Sequence, residues 1–150
     1  MNKLYLSWQD IRTCCDRLAV KISTETKRID NVIGIAKGGL IPATLLAKRL
    51  GINRVYSIGA SSYTGHEKDK EGLNVYQDIP DELHNQINLY VDDISDTGDT
   101  FNYLLKVRGH DLDRGIYTAT LHVKPHTTFV PTFSHKEINN DVWVVYPWEE

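Results

Sequence analysis

The chain has 150 residues, 17 Lys+Arg against 20 Asp+Glu, and a formal net charge of -3. That length suits one domain over residues 1–150, able to bury about 70% of its unfolded surface. With 41% apolar and 25% charged residues the composition is that of a soluble globular protein. No apolar run reaches the roughly 18–20 residues that a bilayer span needs. The charge is too acidic for nonspecific nucleic-acid binding, so neither nucleic acid nor membrane is expected as a partner. A local site for a small anion stays open.

The opening segment Met1–Asp10 lacks the sustained apolar core of a secretion signal. Cys14 and Cys15 are adjacent and cannot build a framework of loop-closing disulfides. The expected compartment is a reducing cytoplasm. Ser7 followed by Asp10 reads as a capped helix start, and Trp8, Ile11, Cys15, Leu18 and Ile22 recur at helical spacing. Asn31–Ala36 reads as a buried strand that breaks at Lys37-Gly38-Gly39. A helix follows from about Leu40 to Leu50, with Gly51 as its stop. Val55–Ala60 reads as a second strand, completing a βαβ unit with parallel strands.

The polar stretch from Ser61 to about Gln86 is too long for a structureless connection unless it serves as a lid or binding element. Ile87–Val91 is then expected as a strand, Asp92–Asp99 as a polar turn, and Thr100 to about Val107 as a helix. Ile116–Val123 reads as another strand, and Asp141–Trp148 as a short strand ended by Pro147.

The most informative run is Asp92-Asp93-Ile94-Ser95-Asp96-Thr97-Gly98-Asp99-Thr100. It follows a strand and opens a helix, which in open parallel sheets is the ligand-binding edge. Backbone N–H groups at a helix start, with the Thr97 and Thr100 hydroxyls, can hold a phosphate. Paired carboxylates repel such a ligand unless it also offers hydroxyl donors or a divalent metal. A sugar phosphate with a metal-bound second anion meets both demands. An EF-hand begun at Asp93 would need Glu where Leu104 stands. Gly-Lys-Ser/Thr and Gly-x-Gly-x-x-Gly are both missing.

This run resembles the phosphoribosyl pyrophosphate (PRPP) motif of type I phosphoribosyltransferases. Ile35–Pro42, Leu45–Ile52, Ser61-Ser62-Tyr63, Val123-Lys124-Pro125 and Asp141–Trp148 fall in family order. Together they resemble the bacterial xanthine-guanine, or 6-oxopurine, branch. The resemblance implies an α/β fold with a mainly parallel central sheet flanked by helices, a mobile lid from Ser62 to about Gln86 and a small C-terminal base-binding hood. It implies a cytoplasmic purine-salvage enzyme, a homo-oligomer (dimer or tetramer), that joins N9 of guanine, hypoxanthine or xanthine to PRPP with Mg2+. Asp92 and Asp93 would receive the ribose hydroxyls, with Asp93 the first metal contact. Asp96, Thr97, Gly98, Asp99 and Thr100 would cradle the 5′-phosphate, and Ala36, Lys37, Gly38 and Gly39 the pyrophosphate. Asp96 would also face purine N7 as the catalytic carboxylate. Lys124 would face O6, Trp143 would stack on the base, and carbonyls of Val144 and Glu149 would face its N2 side.

Two positions depart from the pattern. Asp99 adds a negative charge near the phosphate, and Lys37 stands where arginine is common. The six histidines read as surface or core residues. The competing reading is a regulatory protein that senses PRPP or a nucleotide on the same fold, or a phosphoribosyltransferase for another base.

Overall fold

Alternation along the central strands sorts apolar side chains onto two faces, and both faces are covered. The computed structural model describes residues 1–62, 73–107 and 115–150. Strand β2 (Asn31–Ala36) pairs in parallel with β3 (Val55–Ser62) and with β5 (Asn88–Ser95). β5 pairs with β6 (Ile116–Val123), and β6 with β7 (Phe133–Glu137). β4 (Leu73–Gln77) adds an antiparallel edge, giving the order β4-β3-β2-β5-β6-β7. Strands buried on both sides are the signature of such parallel sheets.

On one face Val32, Leu89, Val91, Ala119 and Leu121 pack with Ile11, Cys15, Leu18 and Ile22 of α1 (Trp8–Glu25). Ala43, Leu46 and Ala47 of α2 (Leu40–Leu50) join them. On the other face Ile33, Ile35, Ile58 and Tyr90 pack with Leu83, Phe101, Leu104, Leu105 and Phe129. α1 begins at the expected capping box: Asp10 N–H donates to Ser7 Oγ at 3.1 Å, and Ser7 N–H to the Asp10 carboxylate at 2.8 Å. Gly51, at φ +69°, ends α2 with its N–H turned back to the Ala47 and Lys48 carbonyls. Cys14 and Cys15 are free and buried. Trp8 is the exception on the predicted apolar face of α1. It is half-exposed and meets Trp148, ring centres 6.1 Å apart.

Four expectations need correction. The Asp92–Asp99 turn is shorter than expected, because β5 continues through Ser95 on its ladder with β6. The Thr100–Val107 helix is a single α-turn, α3 (Asp99–Phe101), that widens into a π-helical segment, Asn102–Val107. Residues 63–72 of the expected lid lie outside the described residues. The rest of that stretch holds regular structure where a polar loop is expected: β4 joins the sheet, a 3-10 turn runs over Asp81–Asn85, and Leu73, Ile79 and Leu83 are buried. Finally, the hood is built from both ends of the sequence. β1 (Asn2–Tyr5) pairs in parallel with β8 (Val142–Val145), followed by a 3-10 turn over Pro147–Glu149. Among the described residues no helix is long and apolar enough to cross a membrane.

Candidate active site at the β2–β5 crevice

From β2 the chain turns to β3 on one side, and later returns as β5 on the other. The C-terminal ends of β2 and β5 therefore splay apart at a switch point, where open sheets bind ligands. The loop after β2 has a cis peptide between Ala36 and Lys37 and presses against β5. A Cβ on Gly38 would stand 2.1 Å from Asp93 Oδ2, and one on Gly39 2.1 Å from the Val91 carbonyl oxygen. Only glycine lets this loop lie so close to the acidic strand.

Asp92 through Phe101 line a cleft of about 230 Å³. Asp93 N–H donates to Asp92 Oδ1 at 2.9 Å, and Ile94 N–H to Asp93 Oδ1 at 2.7 Å. Desolvation lifts the Asp92 carboxyl well above its usual range, and the charge of Asp93 adds to the shift. Desolvation also raises Asp93, to about 6, against the backbone N–H of Ile94; Glu149 adds a further upward push. Burial and mutual repulsion disfavour charge on this pair, and a bound cation or hydroxyl donors would relieve that cost. Among the described residues no group of three or more His, Cys, Asp or Glu converges on one point. A pair of carboxylates that shares its metal with substrate oxygens is the arrangement magnesium takes. The donor set fits that ion.

The Asp96–Gly98 turn is fastened to the loop that follows β6. Lys124 N–H donates to the Ser95 carbonyl at 3.0 Å and Thr128 N–H to the Thr97 carbonyl at 2.9 Å. Ser95 Oγ donates to the Phe129 carbonyl at 2.8 Å and Asn102 Nδ2 to Thr128 Oγ1 at 2.8 Å. Gly98 sits at φ +89°, and a Cβ there would meet the Phe129 nitrogen at 2.6 Å. One result is that His126 Nε2 lies 2.5 Å from Asp96 Oδ1.

Lys124 is buried, 3% exposed. Its Nζ donates to the carbonyl of Asn139 at 2.7 Å, of Asn140 at 3.4 Å, and of Val142. The ammonium thus holds the root of the hood against β6. Behind it, Tyr146 stacks on Trp148 with ring centres 4.9 Å apart, and its hydroxyl reaches the Asp93 carbonyl.

The phosphoribosyl transferase domain family matches residues 2–150. The chain belongs to that family. Among solved structures it resembles a purine phosphoribosyltransferase from Pyrococcus horikoshii Ot3, with TM-score 0.83 and 34% identity over 100% of this chain and 96% of that one. It also resembles a hypothetical protein from Neisseria gonorrhoeae with bound ppGpp, with TM-score 0.82 and 27% identity over 99% and 90% of the two chains. A xanthine-guanine phosphoribosyltransferase of Idiomarina loihiensis is 25% identical over 99% of this chain and 88% of its own length.

In this phosphoribosyltransferase the structure brings Ala36–Gly39 and Asp92–Thr100 together at one crevice. Lys124 and Asp96 follow the ends of neighbouring strands, and Glu149 comes within electrostatic reach of Asp93. Asp99 and Lys37 are exposed, Val144 is buried, and Trp143 stands half-exposed on β8 opposite Lys3. Sequence reasoning missed two members of the site. Tyr146 was lost among the aromatics of the hood, and His126 among the histidines. The sequence held no signal for His126. β5 and β6 pair with an offset of 28 residues (Asp92 with Thr120, Ile94 with His122). It is that register, visible only in the structure, that sets the residues just beyond Lys124 beside Asp96.

Proposed function

We propose that this phosphoribosyltransferase joins N9 of a 6-oxopurine to C1′ of PRPP, releasing pyrophosphate. The observation that carries the reading is the joining of the acidic crevice to the Lys124 loop. The acidic cleft and the Lys124 loop lie side by side, which supports reading one as the sugar-phosphate site and the other as the base site. The purine phosphoribosyltransferase named above, 34% identical over the whole chain, supports a purine as the acceptor.

The reaction passes through a ribosyl cation, so the protein must stabilise separating charge and needs no nucleophile. Asp92 and Asp93 would accept the ribose 2′- and 3′-hydroxyls. They would also hold a magnesium ion, whose charge offsets that of the pyrophosphate. Ala36–Gly39 would receive the pyrophosphate, and Asp96–Thr100 the 5′-phosphate. Asp96 would face N7, and Lys124 the O6 side, with one of its three donors exchanged from a hood carbonyl. Trp143 would stack on the base, and the carbonyls of Val144 and Glu149 would read its N2 edge.

A second reading rests on the ppGpp-bound relative: the same crevice would take a guanine nucleotide as a regulatory ligand without turning over. Incubation with PRPP, magnesium and each of guanine, hypoxanthine, xanthine and adenine separates the two. Pyrophosphate and a nucleoside monophosphate are expected with a 6-oxopurine. Nucleotide binding with no product from any base would favour the regulator.

A further inference from the structure

The His126 imidazole meets Asp96 Oδ1 across 2.5 Å. An ionised carboxylate oxygen only accepts, so Nε2 carries the proton and donates. Several contacts fix the backbone that carries the imidazole. His126 N–H donates to Asn140 Oδ1 at 3.2 Å. The loop is pinned on one side by Lys124 N–H to Ser95 and on the other by Thr128 N–H to Thr97. Thr128 Oγ1 adds a second bond to the Thr97 carbonyl at 2.8 Å. The two side chains remain 44% and 43% exposed. A pair that open to water contributes little to folding, so its rigid support is better explained by what the carboxylate does in the cleft.

We infer that His126 is a positioning residue for Asp96. It occupies Oδ1 and holds the carboxylate so that Oδ2 faces N7 of the purine. This rests on the function proposed above. Without the imidazole, the Asp96 side chain can rotate away, and the carboxylate spends less time aligned with the reacting ring. Misalignment of about 1 Å lowers rate more than affinity. The sugar-phosphate contacts, made by Asp92, Asp93 and the backbone of the turn, stay in place.

The test is steady-state kinetics with PRPP, magnesium and guanine. His126→Ala should lower kcat by on the order of 10- to 100-fold, with the KM for PRPP within about twofold of wild type. His126→Gln keeps an N–H donor at similar reach and should recover most of the loss. In an Asp96→Ala background, His126→Ala should cost less than about twofold more, because the two residues act as one unit. An active wild type whose His126→Ala variant keeps its kcat overturns the inference alone. So does a loss that His126→Gln does not repair, or one that persists undiminished without Asp96. A wild type that makes no product with any base overturns the inference and the proposed function together.

Discussion

The Tyr146 hydroxyl donates to the backbone carbonyl of Asp93 across 3.2 Å, tying the hood to the acidic strand. Its proton is committed there, so the bond at 2.8 Å from His122 Nδ1 must run from the imidazole to the tyrosine oxygen. Burial keeps the Tyr146 hydroxyl protonated, well above the usual phenol range, with Asp93 and Asp92 adding to the shift. The relay His122 to Tyr146 to Asp93 is neutral throughout.

Tyr146→Phe should therefore orphan a buried imidazole N–H and a backbone carbonyl at once. The expected cost is about 1–3 kcal/mol of folding stability, read by urea denaturation. The hood would lose its tie to β5, so the KM for the base should rise more than the KM for PRPP. Unchanged stability would show that the relay does not form.

His122 makes a pH prediction with a definite sign. Burial, with smaller pushes from His135 and Lys136, lowers it from 6.5 to about 4. A histidine depressed on folding stabilises the native state above its unfolded value and loses that contribution as pH falls from about 6.5 through 4. The full effect is on the order of 3 kcal/mol. Asp92 and Asp93 drift the other way, so wild type is best compared with His122→Gln, which keeps a donor for Tyr146. Between pH 7 and pH 4.5 the variant should lose less stability than wild type. Parallel losses would remove His122 as the sensor.

The acidic pair should show function opposed to stability. Carboxyls raised on folding favour the protonated form, so Asp93 penalises the fold above about 6 and is relieved as pH falls toward 3.8. Asp92, also raised, adds to the penalty. Asn at both positions keeps an oxygen for the N–H groups of Asp93 and Ile94 but removes the charge. The Asp92→Asn, Asp93→Asn protein should be more stable at pH 7, by about 1–3 kcal/mol, and should lose PRPP turnover. Near-normal pyrophosphate release from that variant would detach this pair from the sugar.

Much of this site was legible because its chemistry lies in contiguous runs. Ala36–Gly39 and Asp92–Thr100 each sit at a strand end, and a βαβ pattern alone brings strand ends together. The hood was harder. Asn2–Tyr5 is exposed at every position, so β1 has no alternating pattern to announce it, and its partner β8 lies at the far end of the chain. The end of β5 is hidden in the sequence for a related reason. Asp92 and Asp93 look like turn residues, yet the ladder to β6 carries them on to Ser95. His126 was invisible because a lone histidine after a proline has no periodicity; only strand register sets it beside Asp96.

Lys124 carries the most specific prediction. Its ammonium has three donors and no acceptor, so it suits a 6-oxo group and opposes a 6-amino group. Guanine or hypoxanthine should be used, and adenine negligibly. The carbonyls of Asn139, Asn140 and Val142 already engage Nζ, so under the proposed function the lysine would have to serve both the hood and the base. Lys124→Met keeps the buried stem but removes every donor, which should cost about 1–3 kcal/mol of stability. It should also lower kcat/KM for guanine by roughly 10- to 100-fold. PRPP should bind nearly as before, because in the proposed function the crevice of Asp92–Thr100 would hold it without Lys124. A wild type that prefers adenine would overturn the assignment, as would a Lys124→Met variant that processes guanine normally. A variant that instead loses affinity for PRPP would move Lys124 out of the base site and into the sugar-phosphate site.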